Sequence, residues 1–320
     1  MIRSSKDDDG SMLILTLWVV ALLSLMAYSL MGRARLSIRQ EQWQRLEHES
    51  ATLVDSLAQL ALKRYQSDET EGVDGYTDAW LNSFAASSTE LLPAYPGATL
   101  NGEVYELQIA PSDEFSKINV NEASRELLAA TVAEAGVPDP EELAAAIEDW
   151  RDADTAGAAE SDYYADLEPH YAAANKPLAR LEELLFVRGI RGGGEVYFHG
   201  EDVNRNGVLD PNEDDGDTAW PPDNRDGNLQ PGLVDLLTVF GDGTVNANSA
   251  QEPVLRALLS ETELEEAEQD SVAKAILSGR RGPDGKDGEY NGTTDDHPFE
   301  TWEAIVEACA KALGDESPER

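Results

Sequence analysis

The sequence is poor in cysteine and in positive charge. Cys309 is the single cysteine, so no disulfide can form within the chain and cysteine usage does not identify a redox compartment. Lysine and arginine number 24 against 63 aspartate and glutamate residues, a formal net charge of -39. Because affinity for nucleic acid comes mainly from basic side chains on phosphates, this balance argues against nucleic-acid binding. It suits a solvated or salt-adapted surface, or one that holds hard cations such as calcium.

The amino-terminal region contains a long apolar run without charged residues, at positions 12–31. A helix over this run would be about 30 Å long at about 1.5 Å per residue, which matches the hydrocarbon core of a bilayer. A secretory signal cleaved after the small-x-small site at 27–29 is the alternative. Against it, the leader has no net positive charge, and the helical register continues through Trp43, Leu46, Leu53, Leu57, Leu60 and Ala61. We therefore predict one transmembrane and amphipathic helix over residues 11–65.

Two related blocks, at residues 117–124 and 244–250, share the pattern Asn-x-Asn-x-Ala. Each block predicts a strand end and an Asn or Ser N-cap, followed by a helix over 125–136 or 252–259. The pattern also resembles the helix-hairpin-helix DNA-binding module. That module needs a Gly-rich hairpin whose amides meet the phosphate, which neither block supplies. We therefore predict no nucleic-acid partner.

A further helix is predicted over residues 141–150, with Leu143, Ile147 and Trp150 on one apolar face. The acidic residues at its end are either a solvated turn or a cation site, and we favour the turn; they are Asp149, Asp152 and Asp154. Paired carboxylates also serve acid–base catalysis. This segment supplies no nucleophile, histidine partner or substrate-sized motif, so we predict that the protein is not an enzyme.

Residues 202–213 match the calcium-loop pattern D-x-[DN]-x-[DN]-G-x5-E without a mismatch. Gly207 permits the sharp turn that lets alternate oxygens face one centre. The predicted calcium ligands are Asp202, Asn204, Asn206, the Val208 carbonyl, Asp210 and bidentate Glu213. The flanks at 192–200 and 214–220 do not read as helices, so we predict a static calcium staple outside an EF-hand. An acidic turn without an ion is the alternative.

A second acidic turn follows, with half of the same pattern and no closing glutamate. Its candidate ligands for a second metal ion are Asp223, Asn224, Asp226 and Asn228. The chain then ends in a Gly/Asp-rich loop at 279–298, a helix at 299–313 and a polar tail. Cys309 shares a helical stripe with Phe299, Trp302, Ile305, Val306 and Leu313, which predicts a small core residue and not a reactive thiol.

The short charged leader ending in Gly10, the membrane-length helix and its amphipathic continuation resemble the amino terminus of type IV pilin-like proteins. In that family a prepilin peptidase cuts after the glycine and the new terminus is methylated, which here implies cleavage between Gly10 and Ser11. Most members carry Glu at the fifth mature position, where this chain has Leu15. The K-type minor pseudopilin of type II secretion (general secretion pathway protein K) also lacks that Glu.

The middle of the chain is similar to the same K-type family in several segments that occur in order. They are residues 147–154, which resemble the family's DWxDxD segment, then 157–164 and 171–189. The resemblance implies an α+β fold with a long amino-terminal spine helix and a small pilin-type antiparallel sheet that carries a large helical insertion. The expected boundaries are 1–10 for the prepilin leader, 11–65 for the spine helix, 66–118 for a pilin-like region with a strand, 119–240 for the helical insertion with the calcium loop, and 241–320 for the second block and carboxyl-terminal helices.

The resemblance also implies a structural role at the tip of the type II secretion pseudopilus, in protein export across the outer membrane. It implies I- and J-type minor pseudopilins and prepilin peptidase as partners, a single-pass anchor in the bacterial inner membrane, a periplasmic head, and calcium as a ligand. Four arginines follow the apolar run, and by the positive-inside rule they favour a cytoplasmic carboxyl side. They are Arg33, Arg35, Arg39 and Arg45. The family has the opposite orientation, which we expect here.

The carboxyl-terminal region departs from the family pattern, because members usually end with further strands where this chain predicts a helix. The departure puts completion of the pilin sheet in doubt. The sheet is then smaller, or the chain is a divergent or truncated member. Two alternative functions also stay open. One is a calcium-dependent adhesive or matrix protein on a membrane anchor, and the other is a cleaved, secreted calcium-binding protein.

Overall fold

The structure is a computed structural model. It describes residues 8–68, 72–78, 80–81, 84–87, 106–109, 111–202, 209–216, 218, 223, 225–282, 285–287, 289–290, 293–294 and 296–314. The chain divides into two compact units. The first comprises Met1–Lys63 and Ala85–Ile109, and the second comprises Arg64–Phe84 and Ala110–Arg320.

The first unit is built on the helix α1 (Asp8–Gln66), which confirms the predicted continuous helix. Among the described residues it is the one helix long and apolar enough to cross a membrane; the candidate span lies in Met12–Arg45, where an 18-residue window has a mean hydropathy of 2.2 and is not buried. Trp43 is exposed, whereas Leu53 is buried. Two short strands, β1 (Phe84–Ser87) and β2 (Glu106–Ile109), form a two-stranded sheet.

The second unit is mostly helical. Its elements are β3 (Ile118–Asn119), α2 (Arg125–Glu134), α3 (Pro140–Arg151), α4 (Ser161–Ala165), α5 (Glu195–His199), α6 (Leu233–Leu236), β4 (Leu237–Thr238), α7 (Glu252–Leu259), α8 (Glu266–Arg280), β5 (Glu289–Tyr290), β6 (Thr293–Thr294) and α9 (Trp302–Ala312). The unit also has two 3₁₀ helices, Glu114–Ser116 before β3 and Leu181–Phe186 between α4 and α5. With α1 and the two-stranded sheets, the chain is broadly α+β, as predicted.

The core of the second unit forms where α2 packs against α3 and α7. Ser124 caps α2 by accepting a hydrogen bond from the Leu127 N–H, as the first block predicts. Leu143, Ile147 and Trp150 are all buried, which confirms the apolar face of α3. The Trp150 ring meets the buried ring of Tyr164 edge to face, at 5.1 Å between centroids.

The two Asn-x-Asn blocks form the same turn in the second unit. The Asn119 Oδ1 accepts from the Asn121 N–H at 2.8 Å, and the Asn246 Oδ1 accepts from the Asn248 N–H at 3.0 Å. In each block the first Asn carbonyl also accepts the N–H four residues later, at 3.0 Å from Ala123 and 2.9 Å from Ala250. The shared pattern therefore encodes a shared asparagine turn before a helix.

The second block differs from the first in what surrounds its turn. No strand ends there; the strand that pairs with β3 is β4, in parallel register Ile118↔Leu237 and Asn119↔Thr238. Ser249 does not cap α7, because its hydroxyl donates to the Asp113 carboxylate at 2.6 Å and the helix begins after Gln251. The predicted strand and N-cap of the second block are therefore wrong, since long-range bonds replace the local ones.

The carboxyl-terminal helix α9 packs on α8. Cys309 is half-buried against the core, and burial raises the pKa of its thiol, which agrees with a packing role. Trp302 is 71% exposed and Leu313 is 38% exposed, so the prediction that these two residues belong to a core-facing stripe is wrong. Before α9, β5 and β6 pair in antiparallel register as a small hairpin inside the predicted loop.

Candidate metal centre

The acidic segment between Glu201 and Gln230 is closed at its base by two glycines. Gly200 forms an antiparallel bridge with Pro231, and the Glu201 N–H donates to the Gln230 carbonyl at 3.0 Å. A Cβ on Gly200 would lie 2.4 Å from the backbone nitrogen of Gly232. Only glycine lets the two backbones approach this closely, so the segment has fixed ends.

The chain enters this segment through α5, so the prediction that residues 192–200 contain no helix is wrong. The Glu195 carboxylate accepts from the N–H groups of Gly192 and Gly193 at 3.3 and 3.0 Å, which favours the first turn. Hydrogen bonds from its own backbone N–H and from these two glycines hold the pKa of Glu195 below its usual value. The helix has five residues, too few to form one arm of an EF-hand.

Glu213, the predicted closing ligand of the calcium loop, has a side chain that is 1% exposed. Its Oε2 accepts from the Asp210 N–H at 3.0 Å, and its own N–H donates to the Asp210 carbonyl at 2.8 Å. Its Oε1 is buried and has no hydrogen-bond partner. An ionised carboxylate in that position is costly unless a cation or proton compensates it.

The remaining predicted ligands are only partly described. Asp202, at the first position of the loop, and Asp210, three residues before Glu213, are half-buried. Asn204, Asn206, Gly207 and Val208 lie outside the described residues. In the described part of the chain, acidic triads with oxygens within 4.8 Å of one another lie elsewhere, at Asp68, Asp74 and Asp78 and at the end of α3.

Among the described residues of the loop, the Glu213 carboxylate is the feature that supports a calcium ion. The motif expects that residue to supply two oxygens, and the structure leaves one of them buried and unpaired. Glu201, directly before the motif, is also buried, and its Oε2 accepts from the Gln230 N–H at 2.8 Å. The motif did not reveal Glu201, because it precedes the first ligand position and its partner lies across the base of the segment.

The second acidic turn is held by hydrogen bonds of its own. The Asp223 Oδ2 accepts from the N–H groups of Asp215 and Gly216 at 2.8 and 2.7 Å, and its Oδ1 accepts from the Arg225 N–H at 2.8 Å. Asp226 accepts from the Asn228 N–H at 2.8 Å. Asp223 thus ties the two acidic turns together. Asn224, the other candidate ligand, lies outside the described residues.

A comparison with known protein families gives a match in the region that precedes the acidic segment. Residues 99–193 match the family model of the type II secretion system (T2SS), protein K. The match confirms the K-type resemblance over that part of the chain. Among curated proteins, none matches this sequence.

A structural likeness exists to a chain in the crystal structure of the GspK-GspI-GspJ complex from the enterotoxigenic Escherichia coli type 2 secretion system. The two chains are 15% identical, with a TM-score of 0.37. The aligned part covers 71% of this chain and 69% of the other.

Proposed function

We propose that this chain is a K-type minor pseudopilin of a bacterial type II secretion system. The observation that carries the proposal is the match of residues 99–193 to the protein K family. That stretch contains α2, α3, α4 and the 3₁₀ helix Leu181–Phe186, which supply much of the buried core of the second unit. The family match therefore rests on residues that build the fold and not on a surface motif.

The proposed role is structural and not catalytic. α1 anchors the chain once in the inner membrane through the uncharged run at 12–31, and the second unit lies in the periplasm. The helical insertion sits at the pseudopilus tip, where its bulk prevents another subunit from stacking above it. The proposed partners are the I- and J-type minor pseudopilins, and β1 and β2 belong to the pilin-type sheet.

Calcium is part of the same proposal. Asp202, Asp210 and Glu213 put three carboxylates in one short loop, and the buried, unpaired Oε1 of Glu213 supports a cation there. The oxygens of these residues, with those of Asn204, Asn206 and Val208, would hold the ion and fix the acidic segment. The five-residue length of α5 favours a fixed staple over a sensor that opens a helix pair.

Processing of the amino terminus tests the proposal. A pseudopilin is cut after Gly10 and keeps its apolar helix, so the membrane-extracted protein should begin at a methylated Ser11. Intact-mass spectrometry measures this directly. Gly10→Val should leave the leader attached. Gly32→Ala is the matched control, because a Cβ at Gly32 meets no atom within 4 Å.

The opposite result is equally specific. A mature chain that begins at Leu30 would show cleavage at the small-x-small site and loss of the anchor. The K-type proposal would then fail, and a secreted calcium-binding protein would take its place.

A further inference from the structure

Three acidic side chains converge where α3 ends and α4 begins. Asp149 lies in the last turn of α3, Asp152 is its C-cap, and Glu160 is the N-cap of α4. Each places a carboxylate oxygen within 4.8 Å of such an oxygen on the other two. Asp149 and Glu160 are 5% and 6% exposed, and Asp152 is half-buried, so the cluster reaches solvent through Asp152.

The three carboxylates have few compensating partners. The Asp149 Oδ2 accepts from the Ala159 N–H at 2.8 Å, and the Asp152 Oδ1 accepts from the Asp154 N–H at 3.2 Å. Both carboxylate oxygens of Glu160 are buried without a hydrogen-bond partner. Within the described part of the chain, no lysine or arginine forms an ion pair with any of the three.

The electrostatic setting is unfavourable for three anions. The carboxyl end of α3 carries the negative end of the helix dipole, which repels carboxylates and attracts cations. Burial, followed by the charges of Asp152 and Asp149, raises the pKa of Glu160. Burial also raises the pKa of Asp152. Either a proton or a cation must therefore compensate the cluster at neutral pH.

The surrounding loop is shaped to bring Glu160 against α3. A Cβ on Gly157 would lie 2.2 Å from the carboxylate carbon of Asp149, so a side chain at 157 would displace that carboxylate. Asn175 holds the turn after α3 from outside: its N–H donates to the Trp150 carbonyl at 2.9 Å and its Nδ2 to the Asp154 carbonyl at 2.8 Å. The Asn175 Oδ1 is buried and has no partner, which leaves a neutral oxygen on the same turn.

We propose that Asp149, Asp152 and Glu160 form a further cation site, distinct from both acidic turns of the segment at 201–230, which binds one divalent ion of the calcium class. All three donors are oxygens, the ligands that hard cations prefer. Separations of up to 4.8 Å fit oxygens placed around calcium at about 2.3–2.6 Å, whereas magnesium at about 2.0–2.1 Å requires a tighter shell. The ion would join the end of α3 to the start of α4. The site is separate from the acidic segment at 201–230.

Full-length protein in detergent, with calcium chloride as the probe, tests the site. Glu213→Gln provides the background, because it removes the closing ligand of the other proposed site. In that background the melting temperature should still rise saturably with calcium. Adding Glu160→Gln should weaken the calcium midpoint by more than the roughly tenfold to hundredfold that changes outside the first ligand shell cause. It should not lower the melting temperature in chelator, because it removes a buried unpaired charge.

Asp154→Asn in the same background is the matched control. Asp154 lies on the same turn but outside the cluster, and asparagine keeps the oxygen that accepts from the Ala156 N–H. Its calcium response should stay close to that of Glu213→Gln alone. If the Glu160→Gln protein does not fold, Asp152→Asn replaces it, since Asp152 is the half-buried member of the cluster.

Terbium luminescence gives a second readout, because Trp150 lies between two of the proposed ligands in sequence and can transfer energy to a bound lanthanide. Calcium should displace the Trp-sensitised signal, and Glu160→Gln should remove it. The proposal is overturned if the Glu213→Gln protein shows no calcium-dependent rise, or if Glu160→Gln leaves that rise unchanged. If only the loop at 202–213 fails to bind calcium, the proposal for Asp149, Asp152 and Glu160 still stands.

Discussion

Arg280 and Asp287 form a bidentate ion pair in the second unit. The Arg280 Nε and Nη2 each lie 2.8 Å from an oxygen of the Asp287 carboxylate. The Arg280 side chain is 3% exposed, and its Nη1 donates to the carbonyls of Ala247 and Ala250 at 2.7 Å each. The pair therefore fixes the end of α8 against the second asparagine turn.

Replacing Asp287 by Asn should strongly destabilise the second unit. The change leaves the buried Arg280 guanidinium without its counter-charge, which typically costs about 3–5 kcal/mol. Urea unfolding followed by tryptophan fluorescence measures the loss. Asp270→Asn is the control, since the Arg256–Asp270 pair spans 3.9 Å and both side chains are more than two-fifths exposed. That change should cost at most about 1 kcal/mol, and equal losses would contradict the argument.

The same pair predicts a loss of stability in acid. Burial alone would raise the pKa of Asp287, but hydrogen bonds from Arg280 and Arg281 outweigh it and hold the pKa below its ordinary value of 3.8. A depressed folded-state pKa adds stability that is complete above the unfolded-state pKa and disappears as pH falls through the folded one. Wild-type protein should therefore lose more stability than Asp287→Asn below about pH 4. Parallel pH profiles of the two proteins would show the opposite.

Replacing Asn119 by Ala should unfold the junction of β3 and β4. Asn119 is 4% exposed, and its Nδ2 donates to the carbonyls of Phe240 and Gly241 at 3.1 and 2.9 Å. Each hydrogen bond that is lost should reduce stability by about 0.5–1.5 kcal/mol. Asn228→Ala, at an exposed turn, should change stability by less than about 0.5 kcal/mol. Thermal melts of both variants decide this, and a neutral Asn119→Ala would show that water replaces the side chain.

Glu213→Gln removes one negative charge from the calcium loop but keeps the size of the side chain. The variant removes a buried unpaired charge, so its melting temperature in chelator should equal or exceed that of wild type. Stabilisation by ligand grows as RT ln(1 + [L]/Kd), and a loop without paired helices should bind at roughly 10⁻⁵ to 10⁻³ M. The part of the calcium-induced rise that this loop supplies should therefore disappear. Magnesium should substitute poorly.

The exposed neighbour Asp214 supplies the control for that experiment. Asp214→Asn removes one charge beside the loop but no proposed ligand, so it should keep the calcium response. If calcium and chelator melts of wild type differ no more than those of Glu213→Gln, the loop is an ordinary acidic turn.

Partner binding tests the assembly directly. Full-length protein co-expressed with the I- and J-type minor pseudopilins of its own system should co-purify with both in detergent. The complex should survive size-exclusion chromatography. A chain that elutes alone from every such mixture would favour the calcium-dependent adhesive function.

Local signals predicted much of the helical framework. The uninterrupted register of α1 and the apolar spacing of α3 identified these helices, and Ser124 marked the start of α2. Ser249 stands in the matching place of the second block, yet its hydroxyl bonds to Asp113 across more than a hundred residues. The local pattern could not reveal that choice, because a distant acceptor competed with the helix amide.

The two candidate sites also differ in how much of each the sequence predicts. Residue spacing alone identified Glu213, because every calcium-loop ligand lies in one short stretch of sequence. The sequence predicts a turn or a cation site at Asp149 and Asp152, but it does not place Glu160 beside them. It joins them only because Gly157 lets the chain fold back on α3, a contact that no local periodicity signals.

The parallel pairing of Ile118 with Leu237 has a mechanical consequence. The backbone N–H of Val120 also donates to the Thr238 carbonyl at 2.8 Å, so the chain leaves this junction and returns to it. Tension applied before β3 and after β4 loads these bonds in shear, because parallel strands are then pulled along their length and not peeled apart. The helices between the two strands belong to the stretch of chain whose ends these hydrogen bonds join. They bear no load until the junction ruptures, so a filament that pushes or pulls on this protein would leave them folded.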